Sequence, residues 1–137
     1  MTTPTRTTVW TLELHYLPTS MNKQLRAHWS ARGRERKQLE HDLGWLAKAK
    51  RVPPATKDSF RSVSMILDKG RRARQFDDVP NLEGRAKLVL DALVNNQTLW
   101  DDSKKYLQWD GIEEVHSPDG PRLTITIAEL NNGGATQ

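Results

Sequence analysis

Residues 76–93 read FDDVPNLEGRAKLVLDAL, and this stretch contains the clearest helical pattern of the chain. Its apolar side chains recur at intervals of three or four residues, at Leu82, Ala86, Val89, Leu90 and Leu93. That spacing places them along one side of an α-helix, where they can pack against a sheet. A neighbouring side carries Glu83, Lys87 and Asp91 at successive i, i+4 steps, with opposite charges one turn apart. The stretch therefore predicts a helix with one apolar face and one charged face.

Alternating patterns on both sides of this helix predict β-strands. Apolar and polar residues alternate there with a period of two, which is typical of half-buried strands. The predicted strands cover residues 9–16, 60–67, 106–112 and 123–127, and an earlier helix is predicted over residues 30–50. The third strand has the weakest pattern. The order β-α-β-α-β-β predicts an α/β (α+β) fold, in which two main helices pack on a small mixed sheet.

Length and composition limit the class of protein. A chain of 137 residues corresponds to one domain, which we expect over residues 9–130, with flexible ends at 1–8 and 131–137. Cysteine is absent, so disulfides, thiolate nucleophiles and cysteine-ligated zinc are excluded. No apolar run approaches the roughly 20 residues of a membrane span, and the start lacks the apolar core of a signal peptide. We therefore expect a cytoplasmic protein without a membrane partner.

Aspartates surround the helix in the quoted stretch. Asp77 and Asp78 precede it, Asp91 lies on it, and Asp101 and Asp102 follow it. Two carboxylates about 4 Å apart repel each other by roughly 4 kcal/mol at an effective dielectric constant near 20, so a convergent cluster needs a cation, protons or a basic partner. A metal site is one interpretation. Helix capping, solvent-exposed i, i+4 pairs and an ordinary turn are the alternatives, and the spacing alone leaves them open.

Basic residues form two blocks outside this helix. The first contains Arg26, Arg32, Arg34, Arg36 and Lys37, and the second contains Lys69, Arg71, Arg72 and Arg74. Such blocks usually form solvated surface, and neither block alone indicates a ligand. The acidic cluster in the same chain makes a phosphate-bearing substrate, and hence nucleic acid, the more specific hypothesis.

The ordered set of these motifs resembles the signature of the RusA-type Holliday junction resolvases. The set comprises Asp78-Val79-Pro80-Asn81, Lys87, Asp91-Ala92-Leu93 and Trp100-Asp101-Asp102-Ser103. Upstream, residues 17–22 (LPTSMN) resemble the Pro-Ser-Asn entry that follows the first strand in that family, ending at Asn22. The resemblance extends from about Leu12 to Ile127, and the order and spacing of the whole set are more specific than any single element.

This resemblance implies a homodimeric, magnesium-dependent endodeoxyribonuclease of DNA recombination and repair. Such an enzyme binds four-way (Holliday) junctions and cuts two opposed strands by paired symmetric nicks. By matching positions, the catalytic residues would be Asp78, Lys87 and Asp102, and the metal ligands would be Asp78, Asp91, Asp101 and Asp102. Asn81 would lie beside the first acid, and Mn²⁺ is expected to substitute for Mg²⁺. The likeness to phage-borne members implies a phage or prophage protein in the cytoplasm of a bacterial host.

One position departs from the family pattern. Better-known members have Asp-x-Asp-Asn where this chain has Asp78-Val79-Pro80-Asn81, and Pro80 cannot bind a metal ion. The segment between Asn81 and Lys87 is also about one helical turn longer, so Asp77 or Glu83 is a possible replacement ligand.

The basic blocks and Asn22 supply the residues that we expect to contact DNA. The expected DNA-binding residues are Asn22, Arg32, Arg34, Arg36, Lys37, Arg71, Arg72 and Arg74. Two alternatives remain open: a non-catalytic protein that binds junctions, and a nuclease on the same fold that cuts flaps or other branched DNA.

Overall fold

The alternating segments of the chain form one sheet, on which the two predicted helices pack. The computed structural model describes residues 5–18, 29–73 and 75–131. In this part of the chain the elements are β1 (Thr5–Leu14), α1 (Trp29–Ala49), β2 (Arg61–Asp68), α2 (Val79–Asn95), β3 (Leu107–Val115) and β4 (Arg122–Asn131). The predicted fold class, a small mixed α+β domain with two main helices, is confirmed for these residues.

The sheet combines antiparallel and parallel pairs. Its strands lie in the order β1-β4-β2-β3. Strand β4 pairs antiparallel with both β1 and β2, while β2 and β3 run parallel. A parallel pair needs a long crossover between its strands, and α2 lies within that crossover. The chain after α2 therefore returns to the sheet beside β2, which determines where the residues between α2 and β3 can lie.

The apolar residues of successive strands meet on one face of the sheet. Leu12 pairs with Ile125, and Ile125 pairs in turn with Met65 on the next strand. These three side chains are buried, and helix residues such as Leu43 and Leu93 belong to the same core. The period of two in the strands and the period of three to four in the helices thus bury one common core.

The bounds of β1, β3 and β4 differ from the prediction, and β4 covers Arg122–Asn131 instead of residues 123–127. Strand β1 begins at Thr5 instead of Val9, because Thr5 pairs with Asn131 at the far end of β4. Strand β3 covers Leu107–Val115 instead of residues 106–112. It lies at the edge of the sheet, and its register with β2 shifts near Gly111, whose φ is 101°. An edge strand with such an irregularity buries few side chains, so its period-two pattern is weak.

Helix α2 begins and ends with well-defined caps. The Asp78 side chain accepts a hydrogen bond from the backbone N–H of Asn81 at 2.9 Å, and Pro80 occupies the first turn, where a missing N–H costs nothing. Asn96 follows as the C-terminal cap, and Gln97 has a φ of 67°, in the left-handed region that often ends a helix. Neither described helix combines the length and the apolar composition that a membrane span needs.

Candidate functional site

Lys87 joins two aspartates from different parts of the chain. Its Nζ lies 2.7 Å from Asp102 Oδ2 and 3.0 Å from Asp91 Oδ1. Asp91 is one turn further along α2, whereas Asp102 comes from the segment between α2 and β3. All three side chains are about half exposed, at 57% for Lys87, 45% for Asp91 and 44% for Asp102. The structure thus brings together three of the predicted site residues at a surface that a ligand can reach.

The turn after α2 holds Asp102 in this position. The backbone N–H groups of Thr98 and Leu99 both donate to the carbonyl of Leu93, at 2.9 and 3.0 Å, and Leu99 is buried. The Asn96 side chain accepts hydrogen bonds from the N–H and the hydroxyl of Thr98, and donates to the carbonyl of Glu40 on α1. Because the turn is attached to both helices, the following aspartates lie beside the end of α2.

Charge pairing shifts the ionisation of this cluster. Hydrogen bonds to Asp102 and Asp91 raise the pKa of Lys87 above its usual value. The hydrogen bond from Lys87, followed by its charge, lowers the pKa of Asp102. Both shifts favour the charged forms at neutral pH. The cluster is therefore an exposed ammonium group between two carboxylates.

An open pocket of about 290 Å³ lies beside this cluster, between the two helices. Asp91, Asp101 and Asp102 line it, together with Glu40 and Arg36 from α1. The predicted acids on and after α2 thus face a single pocket, with one arginine on its wall. Such a mixture of carboxylates and cations can accommodate a hard cation and a phosphate group.

The pocket fits a magnesium ion in the type of its oxygen donors. Asp91 and Asp102 both contact one ammonium group, so their carboxylates lie close to each other, and Mg²⁺ is commonly held by one or two carboxylates plus waters and phosphates. The described residues contain no group of three or more His, Cys, Asp or Glu side chains that could hold a metal ion. An ion in this pocket would therefore have to take most of its ligands from water and substrate.

Asp78 lies at the opposite end of α2 from Asp91. Asp78 caps the N-terminus, and Asp91 follows thirteen residues later, about 20 Å along the axis at roughly 1.5 Å per residue. The structure does not bring these two carboxylates together, so the predicted set of four ligands is divided between the two ends of the helix. Asn81 is near Asp78 as predicted, because its backbone N–H donates to that side chain.

Asp77, one of the two possible replacement ligands, belongs to a buried network. Its carboxylate pairs with Lys69 Nζ at 2.7 Å and Arg85 Nε at 2.6 Å, and its backbone N–H donates to Glu114 at 2.8 Å. Burial raises the pKa of Asp77, but hydrogen bonds and charges from Lys69 and Arg85 outweigh this effect and lower it. Both carboxylate oxygens are thus engaged by cations. Glu83, the other possible ligand, is exposed on α2.

Most of the predicted DNA-binding residues are exposed, and two of them lie outside the described residues. The side chains of Arg34, Arg36 and Lys37 are exposed on α1, and those of Arg71 and Arg72 are exposed in the turn after β2. Arg32 lies within α1. Asn22 and Arg74 lie outside the described residues.

Reasoning from the sequence missed two sets of side chains. Nothing in the sequence indicates Arg85 as a partner of Asp77, because their contact depends on how α2 packs on the sheet. Trp45 was also missed, and among the described side chains of α1 it is the most exposed large apolar one, at 68%. Its distance of four residues from His41 and three from Lys48 was a visible signal of a shared helix face.

Comparison with known proteins gives no family assignment: no family model matches the chain, and no curated protein matches it.

Proposed function

We propose that this protein is a magnesium-dependent, structure-specific endodeoxyribonuclease that resolves four-way DNA junctions by paired symmetric nicks. The observation that carries the proposal is the contact of Lys87 with Asp91 and Asp102 beside an open pocket. These three residues belong to separate parts of the motif set that resembles the RusA-type resolvases. Their convergence is what a shared role at one phosphate requires.

The carboxylates of the pocket would hold the metal ion. Asp91 and Asp102, with Asp101 beside them, would bind Mg²⁺, and Mn²⁺ would serve in its place because it also accepts oxygen ligands. When bound, the ion supplies positive charge that lowers the pKa of a water and stabilises charge on the phosphate. Asp78 has a different part in this proposal, because it fixes the start of α2 instead of sharing an ion with Asp91.

Lys87 would act directly on the substrate. Its raised pKa keeps the ammonium group charged at neutral pH, and more than half of the side chain is exposed. An incoming phosphate can therefore replace one of the two carboxylates as its partner. In that position the ammonium group would stabilise negative charge on the phosphate oxygens, or donate a proton to the leaving oxygen.

DNA binding would depend on exposed arginines and lysines of α1 and of the turn after β2. Arg36 lies on the pocket wall, Arg34 and Lys37 are exposed on the same helix, and Arg71 and Arg72 are exposed after β2. Contacts from such cations to phosphates release counterions, so affinity should fall steeply with salt. A homodimer would supply the two symmetric active sites that two opposed cuts need.

The test is nicking of a labelled synthetic four-way junction in the presence of Mg²⁺. A linear duplex, a flap and an EDTA control are run beside it, with wild type, Asp102→Asn and the matched surface variant Asp58→Asn. Paired nicks in the junction, lost with EDTA and with Asp102→Asn but kept with Asp58→Asn, support the proposal. Equal nicking by wild type and Asp102→Asn contradicts it, and cutting of flaps alone changes the substrate.

A second candidate function is junction binding without cleavage. The observation in its favour is that Lys87 already forms ion pairs with both Asp91 and Asp102, and that the described residues form no group of three or more ligands for a metal ion. Tight junction binding with no nick in Mg²⁺ or Mn²⁺, and with equal affinity in EDTA, would favour this function over the first.

A further inference from the structure

One face of α1 carries a row of exposed residues, of which the proposed function uses only Arg34 and Lys37. The row, here called the α1 stripe, consists of Arg34, Lys37, His41, Trp45 and Lys48, and all five are exposed. Their spacing of three or four residues places them on the same side of the helix. That side is opposite the one that buries Leu39 and Leu43 in the core. The stripe extends for about 21 Å along the helix axis, at roughly 1.5 Å per residue.

Trp45 lies within this row of cations. It is 68% exposed and is the single large apolar residue that α1 exposes among its described side chains. A groove of about 470 Å³ borders it on the side of His41, Lys48 and Pro54. A second groove of about 270 Å³ borders it on the side of Tyr16. Flat ligands can therefore reach the indole ring from more than one direction.

The cations of the stripe are available to a ligand. Within the described part of the chain, Arg34, Lys37 and Lys48 have no ion-pair partner. Two neighbouring acids, which also line the grooves beside Trp45, accept hydrogen bonds from neutral side chains and form no ion pair with the described side chains of the stripe: Asp42 accepts from Tyr16 at 2.5 Å and Gln38 at 2.8 Å, and Glu40 accepts from Asn95 at 2.8 Å. The stripe thus presents positive charge on both sides of one aromatic ring.

We propose that the α1 stripe binds an unpaired DNA strand, with Trp45 stacking on a base and the flanking cations contacting phosphates. Aromatic rings combined with a cationic track are how proteins bind single strands without base specificity. The base faces of a duplex are covered by stacking, whereas bases at a branch point or free end can be exposed. The inference rests on the proposed function for DNA as the nucleic acid, and deepens it by assigning a surface to unpaired bases.

Charge complementarity favours DNA over a second copy of the chain on this surface. A two-fold contact between two α1 stripes would bring the same cations of both copies together, and like charges across an interface oppose association. A protein partner held by apolar contacts would need a wider apolar patch than one tryptophan. The negative phosphate backbone is attracted to the cations of the stripe, and a base can stack on the indole ring of Trp45.

The experiment measures binding of a fluorescein-labelled oligothymidylate by fluorescence anisotropy in EDTA, so that cleavage plays no part. Trp45→Ala should weaken binding about tenfold, as expected for the loss of one base stack, and Trp45→Phe should restore most of it. Lys48→Gln should weaken binding and reduce the slope of log affinity against log salt by roughly 0.7. Lys57→Gln, an exposed lysine away from the stripe, is the matched control and should change neither quantity.

Two results would overturn the inference. One is equal affinity of wild type and Trp45→Ala for the strand. The other is a wild-type dimer, seen by light scattering, that becomes monomeric in Trp45→Ala with no change in strand affinity, because the stripe would then bind a second copy. Failure of this inference is distinct from failure of the proposed function. If the wild type nicks junctions and Trp45→Ala binds the strand with unchanged affinity, only the proposal for the α1 stripe is contradicted. If Trp45→Ala weakens strand binding but the wild type nicks no junction, only the proposed nuclease activity is contradicted.

Discussion

Helix α2 has a charged cluster near each end, and the two clusters differ mainly in burial. Near its start, Asp77 pairs with Lys69 and Arg85, and these side chains are 9%, 14% and 13% exposed. Near its end, Lys87 pairs with Asp91 and Asp102, which are all about half exposed. The residue types and distances are similar in both. The comparison shows that contact distances alone do not separate a largely buried ion pair from an exposed one.

Because they differ in burial, the two clusters should contribute differently to the stability of the fold. The Asp77 cluster joins the end of β2, the end of β3 and α2, because Glu114 also accepts the N–H of Asp77 and lies 3.7 Å from Lys69. Removing one member leaves charges without partners in a protected place, which is costly. The Lys87 cluster is exposed to water, so its ion pairs contribute little to stability and can be exchanged for a ligand.

The largest effect on stability is expected when the buried cluster is broken. Asp77→Asn removes the negative charge that pairs with Lys69 and Arg85, while Lys69 keeps Glu114 at 3.7 Å, and should lower the free energy of unfolding by about 2 kcal/mol, between the ranges of exposed and buried pairs. Urea denaturation followed by circular dichroism measures the change. Asp58→Asn, on the exposed loop before β2, is the control and should be nearly neutral. A loss below about 1 kcal/mol, the range of exposed pairs, would mean that the two clusters are equivalent after all.

The next effect separates activity from stability in the exposed cluster. Asp102→Asn should change the free energy of unfolding by less than about 1 kcal/mol, because its pair with Lys87 is exposed. The same change should reduce junction nicking by about 100-fold or more, as expected when a metal ligand is lost. Single-turnover nicking and urea denaturation on the same preparation measure the two quantities. A large loss of stability in Asp102→Asn would instead mean that Asp102 is needed mainly to hold the fold.

The pH dependence of stability tests the Asp77 cluster through a smaller effect whose direction is known. The folded-state pKa of Asp77 lies below its ordinary value of 3.8, so the stability that Asp77 contributes is present above about pH 4. It is lost as the pH falls through the lowered folded pKa, because the unfolded chain then binds a proton more readily. Asp77→Asn should therefore show a shallower loss of stability below pH 4 than wild type. Denaturation curves between pH 6 and about 2.5 provide the test, and parallel acid slopes would contradict the assignment.

The fold was predictable because its elements have strong periodicity. Residues 82–93 and 123–127 alternate with the periods of a helix and a strand, and both form the predicted elements. Strand β3 was less predictable, since it lies at the edge of the sheet and has a register shift near Gly111. Strand β1 lies at the other edge, but its pattern is clear because Leu12 and Leu14 are buried, whereas Leu107 is the one buried residue of β3.

The candidate site was predictable only in part. The contact between Lys87 and Asp91 follows from helical spacing, and the separation of Asp78 from Asp91 follows from the rise of a helix. The position of Asp102 does not follow from spacing, because it depends on the turn that Leu99 and Asn96 attach to both helices. The cations that contact Asp77 are Lys69, directly after β2, and Arg85 on α2, and such contacts exist only after the helix has packed on the sheet.

The smallest effect on stability is expected for Lys87 itself, and it sharpens the comparison most. Lys87→Gln removes two exposed ion pairs and should change the free energy of unfolding by less than about 0.5 kcal/mol. It also leaves Asp91 and Asp102 close together without their ammonium group, so the affinity of the pocket for Mg²⁺ should increase while nicking decreases. Isothermal titration with Mg²⁺ in the absence of DNA measures the first effect, and Lys57→Gln, an exposed lysine of the loop before β2, is the control. If Lys87→Gln instead weakened Mg²⁺ binding, the lysine would be needed to position the carboxylates, and the exposed cluster would resemble the buried one in function as well as in geometry.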